Sequence, residues 1–163
     1  MLISTLGPTY SNSEHAAEHF LKVSNEEGKV VLFATPEKAI SALISGDVDH
    51  CILCIVYPDL NHIVFQNLDK IQISSVYCFP TLNMVVAGNK NGKKACTHPA
   101  PVDLLGDSYD IDFVSSNSDA ALRVKAGEYD ICVTTLVAAK KNGLPIVFDY
   151  GVVNMGWSVF SRR

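Results

Sequence analysis

Residues 51–57, CILCIVY, are apolar at every position. A strand with one face in water alternates apolar and polar residues. An unbroken run therefore predicts a strand covered on both faces, the usual setting of a parallel sheet flanked by helices. The upstream sequence agrees. Residues 2–7 and 29–34 read as strands, and each precedes a helical pattern. The first helix, over 14–23, puts Ala16, Ala17, Phe20 and Leu21 on one face. The second opens on Thr35-Pro36-Glu37, which supplies a cap, a first-turn proline and an acid at the positive end of the helix dipole; Gly46 ends it.

Downstream, strands are expected at 71–79 and 82–87, meeting at Pro80-Thr81, with a polar turn over 89–94. The second half repeats the alternation. A strand ending at Thr97, a helix over 102–105, a strand over 111–115 and a helix over 119–125 are followed by a strand over 129–134 and a helix over 136–141. Strands over 146–148 and 157–160 complete it. Alternation of this kind predicts an α/β protein in layers. We divide it into one lobe of residues 1–80 with 150–163 and a second of 81–149.

Composition narrows the function. With 163 residues, 48% hydrophobic, and a net charge of -4, the chain can bury a core, and no basic cluster suggests nucleic acid or an anionic membrane as partner. A small molecule or a second copy is the expected partner. The start MLISTLGPTYS lacks a signal-peptide pattern and no apolar run approaches the ~20 residues of a membrane span, so the expected location is cytoplasmic. Cys51, Cys54, Cys78 and Cys132 lie in apolar strand-like runs and are expected as reduced, small hydrophobes. Cys51 and Cys54 have CxxC spacing, but an odd offset on a strand sends them to opposite faces, against a metal or redox pair. His15 and His19 are four apart on a helix, yet no second ligand pair accompanies them, and they are expected to face solvent.

Two nearly identical openings remain: Ser11-Asn12-Ser13-Glu14 before Ala16-Ala17, and Ser116-Asn117-Ser118-Asp119 before Ala120-Ala121. Both fit a capping box. A helix start also offers unpaired N–H groups and about half a positive charge to an anion, so a dicarboxylate could use both. The expectation is that they occupy matching positions on the two lobes, one on each wall of a cleft at the strands' carboxyl ends. His62, in the loop after Tyr57-Pro58-Asp59-Leu60-Asn61, and His98, after the strand ending at Thr97, are candidate acids or bases at such ends. A hydrogen-bonded structural histidine is the alternative for each.

Taken together, Leu6-Gly7-Pro8, Ser11-Asn12-Ser13, Thr97-His98-Pro99, Ser116-Asn117-Ser118, Gly127-Glu128-Tyr129-Asp130 and Gly143-Leu144 resemble the catalytic domain of prephenate dehydratases over nearly the whole chain. The resemblance implies a two-lobed α/β fold of the type II periplasmic-binding-protein kind, with prephenate in the interlobe cleft. Departures are equally informative. Where dehydratases carry Thr-Arg-Phe this chain has Met155-Gly156-Trp157, the Tyr57 to His62 loop replaces their Glu-Asn-Ser motif, and Asn117 stands in place of a threonine. The prephenate decarboxylases of bacilysin-type antibiotic pathways show similar departures. They resemble this chain at Thr5-Leu6-Gly7-Pro8, at Tyr57 and His62, at His98-Pro99, and at Met155, Trp157, Ser158 and Phe160.

That resemblance implies loss of carbon dioxide without aromatisation, giving a dihydro-hydroxyphenylpyruvate, with no metal or organic cofactor and a homodimeric protein. Ser11, Asn12, Ser13, Thr97, Ser116, Asn117 and Ser118 would hold the substrate, Met155 and Trp157 would wall it, and His62, Tyr57 or His98 would serve the proton transfer; core packing at a strand end is the alternative for Met155 and, more strongly, for Trp157. Two other readings stay open: a non-catalytic module of the same fold binding an aromatic or dicarboxylate ligand, and a dehydratase forming phenylpyruvate. Only Arg123, Arg162 and Arg163 could supply a guanidinium clamp for a carboxylate, which favours the module.

Overall fold

Strand β1 (Leu2–Leu6) pairs in parallel with β2 (Lys29–Phe33) on one side and β3 (His50–Cys54) on the other, as the strand-helix-strand reading requires. The computed structural model describes all residues, Met1–Arg163. They separate into two units, Met1–Pro80 with Asn154–Arg163, and Thr81–Val153.

In the first unit, α1 (Asn12–Ser24) links β1 to β2, α2 (Pro36–Ser45) links β2 to β3, and α3 (Leu60–Gln66) precedes β4 (Ile71–Pro80). The last strand of the chain, β10 (Asn154–Arg162), inserts antiparallel between β3 and β4 and gives the order β2-β1-β3-β10-β4. The sheet is therefore mixed, not wholly parallel. Burial on both faces of β3 is real all the same. Cys51 and Leu53 join Ala39, Ile40, Leu43 and Phe160 under α2, whereas Ile52 joins Ala16, Ala17, Trp157 and Val159 under α1.

The apolar run ends early as a strand. Ile55 donates its N–H to the Gly156 carbonyl, the Tyr57 N–H turns back to Cys54, and Ile55 and Val56 are exposed. Pro58 and a left-handed Asp59 (φ 63°) then start α3, so the segment expected to be a loop carries His62 on a helix. A tight turn hid this helix from a reading based on periodicity over longer windows.

In the second unit, β5 (Met84–Gly88), β6 (Lys94–Thr97), β7 (Asp110–Phe113), β8 (Ile131–Thr135) and β9 (Ile146–Gly151) form a sheet of order β7-β6-β8-β5-β9. Strands β7, β6 and β8 are parallel, and β5 runs antiparallel between β8 and β9. Helix α4 (Asn117–Lys125) and α5 (Leu136–Lys141) follow β7 and β8; residues 102–105, expected as a helix, make only a 3₁₀ turn over Val102–Leu104. Ile131 and Val133 pack with Met84, Val86 and Leu105 on one face, and Cys132 packs with Cys96 and Ala120 on the other.

The two sheets share one topology. By position in the order, β1, β2 and β3 correspond to β6, β7 and β8. Consequently α1, after β1, corresponds to the 3₁₀ turn after β6, and α4, after β7, corresponds to α2 after β2. The two Ser-Asn-Ser openings do not occupy matching positions. The counterpart of Ser11 is the Thr97-His98 end of β6, and the counterpart of Ser116 is Thr35, which caps α2.

Gly88 holds β5 against its neighbour. Its φ is +128°, and a Cβ there would sit 2.3 Å from the Asp130 carbonyl oxygen. Gly88→Ala is expected to destabilise the second unit by about 2–3 kcal/mol, from a strained backbone region and a backbone clash. Urea unfolding at equilibrium measures it.

Candidate functional site

In each unit the candidate residues gather at the carboxyl ends of the parallel strands. At the end of β1, the Ser11 hydroxyl donates to the Leu6 carbonyl (3.1 Å) and accepts from the Glu14 N–H (3.2 Å), while the Glu14 carboxylate accepts the N–H of a left-handed Tyr10. Asn12 and Ser13 form the first turn of α1, half-buried. Tyr57 lies just past the end of β3, packed against the cluster under α2. Burial first, then the nearby Glu37 and Asp59 charges, push its phenol up, so it is neutral and can donate a hydrogen bond. Met155 packs at the start of β10, beside the same end of β3.

Trp157 is placed differently from the expectation. It is 2% exposed, within the cluster under α1, and its indole N–H donates to the Phe79 carbonyl (3.1 Å). It is a core residue, with its one polar atom used by the sheet. His62 is exposed on α3, its Nε2 2.7 Å from Gln66 Nε2, one helical turn on. His15 and His19 do not face solvent freely: both are half-buried on the ring of Phe79, with centroid distances of 4.9 and 3.7 Å.

In the second unit the ends of β6, β7 and β8 meet the start of α4. The Val114 N–H donates to the Thr97 carbonyl (3.0 Å), and the Thr134 hydroxyl donates to the Asn117 carbonyl (2.6 Å). Thr97 is fully buried, its hydroxyl on the His98 carbonyl. Ser116 Oγ accepts the Asp119 N–H (3.0 Å), and the Asp119 carboxylate accepts from Ser115 Oγ and Arg123 Nε. Ser118 is buried in the first turn. Asn117 Oδ1 is buried and has no hydrogen-bond partner. Thr134, which fixes the Asn117 backbone, was not singled out in the sequence; the Thr134-Thr135 pair before Leu136 was its signal, since Thr135 caps α5.

His98 Nδ1 accepts the Ala100 N–H (3.2 Å), so the neutral ring carries its proton on Nε2. Burial lowers its pKa from the ordinary 6.5. The folded state thus binds fewer protons than the unfolded chain. The stability His98 contributes is present above the unfolded pKa and lost as pH falls through the lower folded one. His98→Gln is therefore expected to flatten the loss of melting temperature as the pH falls below about 6.5, as a series of melts at fixed ionic strength would show.

Of the remaining cysteines and arginines, Cys78, expected as a small core hydrophobe, is instead exposed on the edge strand β4, while the buried thiols and the guanidinium groups are engaged. Burial pushes the Cys51 and Cys96 thiols up to about 12 and the Cys132 thiol up as well, so none is a thiolate. Cys51 and Cys54 serve the clusters on opposite sheet faces. Arg123 pairs with Asp119 and Glu128, Arg162 donates to the Leu43 and Val48 carbonyls, and Arg163 to Ile71. No group of three His, Cys, Asp or Glu side chains is placed to hold a metal ion. No helix is long and apolar enough to cross a membrane.

The chain matches no protein-family model. It is 29% identical to a prephenate decarboxylase of Planktothrix agardhii (strain NIVA-CYA 126/8), an alignment that covers 100% of this chain and 89% of that protein. A prephenate decarboxylase of Bacillus subtilis (strain 168) is 28% identical, with 98% and 86% covered. The chain is a homologue of the prephenate decarboxylases. Among solved structures, a prephenate dehydratase of Arthrobacter aurescens superposes with a TM-score of 0.70 at 16% identity, over 100% of this chain and 61% of that one. The arginine-bound ArgBP of T. maritima superposes at 0.53 and 15% identity, over 100% and 87%. The fold is thus that of prephenate dehydratase and periplasmic-binding-protein-like domains.

Proposed function

We propose that this chain is a cytoplasmic prephenate decarboxylase that releases carbon dioxide without aromatising the ring, in a pathway to a bacilysin-like antibiotic or related specialised metabolite. The observation that carries the reading is full-length similarity to decarboxylases in a chain with Met155-Gly156-Trp157 where dehydratases have Thr-Arg-Phe.

The chemistry follows from what the site holds. Dehydration needs an acid at the departing ring hydroxyl. Decarboxylation leaves that hydroxyl in place: the electrons of the bond to the departing carboxylate move through the ring diene, and one proton is taken up at a ring carbon. Each unit has a helix start, α1 in the first and α4 in the second, whose N–H groups suit a carboxylate oxygen. All three arginines are engaged elsewhere, so helix starts and hydroxyls carry the anion. Tyr57 and His98, both neutral, act as hydrogen-bond donors that orient the substrate, and His62 is the exposed proton carrier. A poorly hydrated surface at Met155 favours loss of a carboxylate.

A homodimer belongs to this reading. Strand β9 is a sheet edge whose Ile146, Phe148 and Tyr150 are exposed, with Val152 beyond it. Sedimentation equilibrium tests it, a monomer at micromolar concentration speaking against it.

Purified protein incubated with prephenate should convert it to a product heavier than phenylpyruvate by one water. Phenylpyruvate as product would establish a dehydratase. Thermal stabilisation by prephenate without turnover would establish the non-catalytic module, which the lack of a free arginine favours.

A further inference from the structure

We infer that Asn117 reads the ring hydroxyl of the substrate, its amide oxygen accepting the hydroxyl's hydrogen, and thereby selects a 4-hydroxylated cyclohexadiene over its deoxygenated counterpart. The inference rests on the proposed action on prephenate. Asn117 Oδ1 is buried without a hydrogen-bond partner at the first position of α4. Its surroundings are otherwise satisfied. The residue's own carbonyl takes the Thr134 hydroxyl, Ser116 Oγ takes the Asp119 N–H, and the Asp119 carboxylate takes Ser115 and Arg123. The chain therefore keeps one desolvated acceptor that none of these hydrogen bonds reaches, an arrangement that is unfavourable unless a bound molecule brings a donor.

The chemistry of the ligand identifies the donor. At neutral pH both carboxylates of prephenate are ionised and, like its keto oxygen, only accept hydrogen bonds. The ring hydroxyl is its one donor. A carboxylate set against Asn117 Oδ1 would bring two acceptors together, so a carboxylate belongs to N–H groups and the hydroxyl to Asn117. This changes the role expected of Asn117, from gripping an anion to recognising the group that a decarboxylase must leave on the ring. The other partnerless buried atom, His50 Nδ1, lies against Phe20 in the first unit and changes between donor and acceptor with tautomer, so it imposes no such choice.

The test is a competition between prephenate and its 4-deoxy analogue in one reaction, giving the ratio of kcat/KM for the unaltered protein, N117A and N117D. The unaltered protein should prefer prephenate by at least about tenfold, because a site built around a substrate hydroxyl rejects the analogue lacking it. N117A should bring the ratio to within about twofold, whereas N117D, which keeps an acceptor of the same shape, should retain the preference at a lower overall rate. N117S, too short to place an acceptor at the amide oxygen, gives the same comparison if the alanine variant does not fold. A tenfold preference surviving in N117A, or no preference in the unaltered protein, overturns the inference and leaves the proposed function standing. Failure of the unaltered protein to consume prephenate at all defeats both.

Discussion

Trp157→Ala is expected to lower the stability of the first unit by about 3–5 kcal/mol, the range for removing a buried aromatic from a packed core. Trp157 is 2% exposed, sits on the central part of β10 opposite Cys54 and Tyr77, and packs with Ile3, Ala16, Ala17 and Ile52. Truncation leaves a cavity between α1 and the sheet and removes the hydrogen bond that the indole N–H donates to the Phe79 carbonyl. Trp157→Phe keeps most of the volume and loses only the donor, so it should cost distinctly less. Urea unfolding of both variants checks this. A loss below about 1 kcal/mol for Trp157→Ala would place the side chain outside the core.

The second large effect separates the two serine caps. Ser11 and Ser116 each accept an N–H three residues on, so alanine at either should cost about 1 kcal/mol of stability. Their hydroxyl hydrogens differ. That of Ser11 is held by the Leu6 carbonyl, so it is part of the β1 end and cannot be given to a ligand without loss. Ser116 has its oxygen engaged by Asp119, and its own hydrogen remains available to a carboxylate. Ser116→Ala is therefore expected to reduce kcat/KM for prephenate about 100-fold, the scale of losing one donor to an anionic group in a desolvated site. Ser11→Ala should change it less than about fivefold. A loss below about fivefold in both would reduce the two openings to capping devices.

The α/β alternation could be read from the chain because its signals are local. Thr35-Pro36-Glu37, the Ala16-Ala17 and Ala120-Ala121 pairs, and the two-sided burial of Cys51, Ile52 and Leu53 all report on their own element. What could not be read depends on partners distant in sequence. The antiparallel entry of β10 beside β3 joins residues about a hundred apart, and no local pattern marks it. The repeated Ser-Asn-Ser suggested corresponding positions because the letters match, but correspondence between units is set by strand order, and that equates Ser116 with Thr35.

For the site, residue types were legible and roles were not. Trp157 was expected to wall the ligand, but an apolar residue near a strand end has the same signature whether it lines a pocket or a core. His62 was expected in the loop after Tyr57-Pro58-Asp59-Leu60-Asn61, and the left-handed Asp59 instead starts a helix of seven residues. The unsatisfied oxygen of Asn117 is invisible in sequence, since it depends on every neighbour having a different partner.

The central claim is that this chain removes carbon dioxide from prephenate and spares the ring hydroxyl. Following prephenate labelled with carbon-13 in its ring carboxylate by NMR tests it most directly. The label should leave as carbon dioxide and bicarbonate while the product keeps a saturated carbon bearing oxygen and a non-aromatic diene. Appearance of aromatic ring protons in step with label release, or retention of the label on unchanged prephenate, would contradict it.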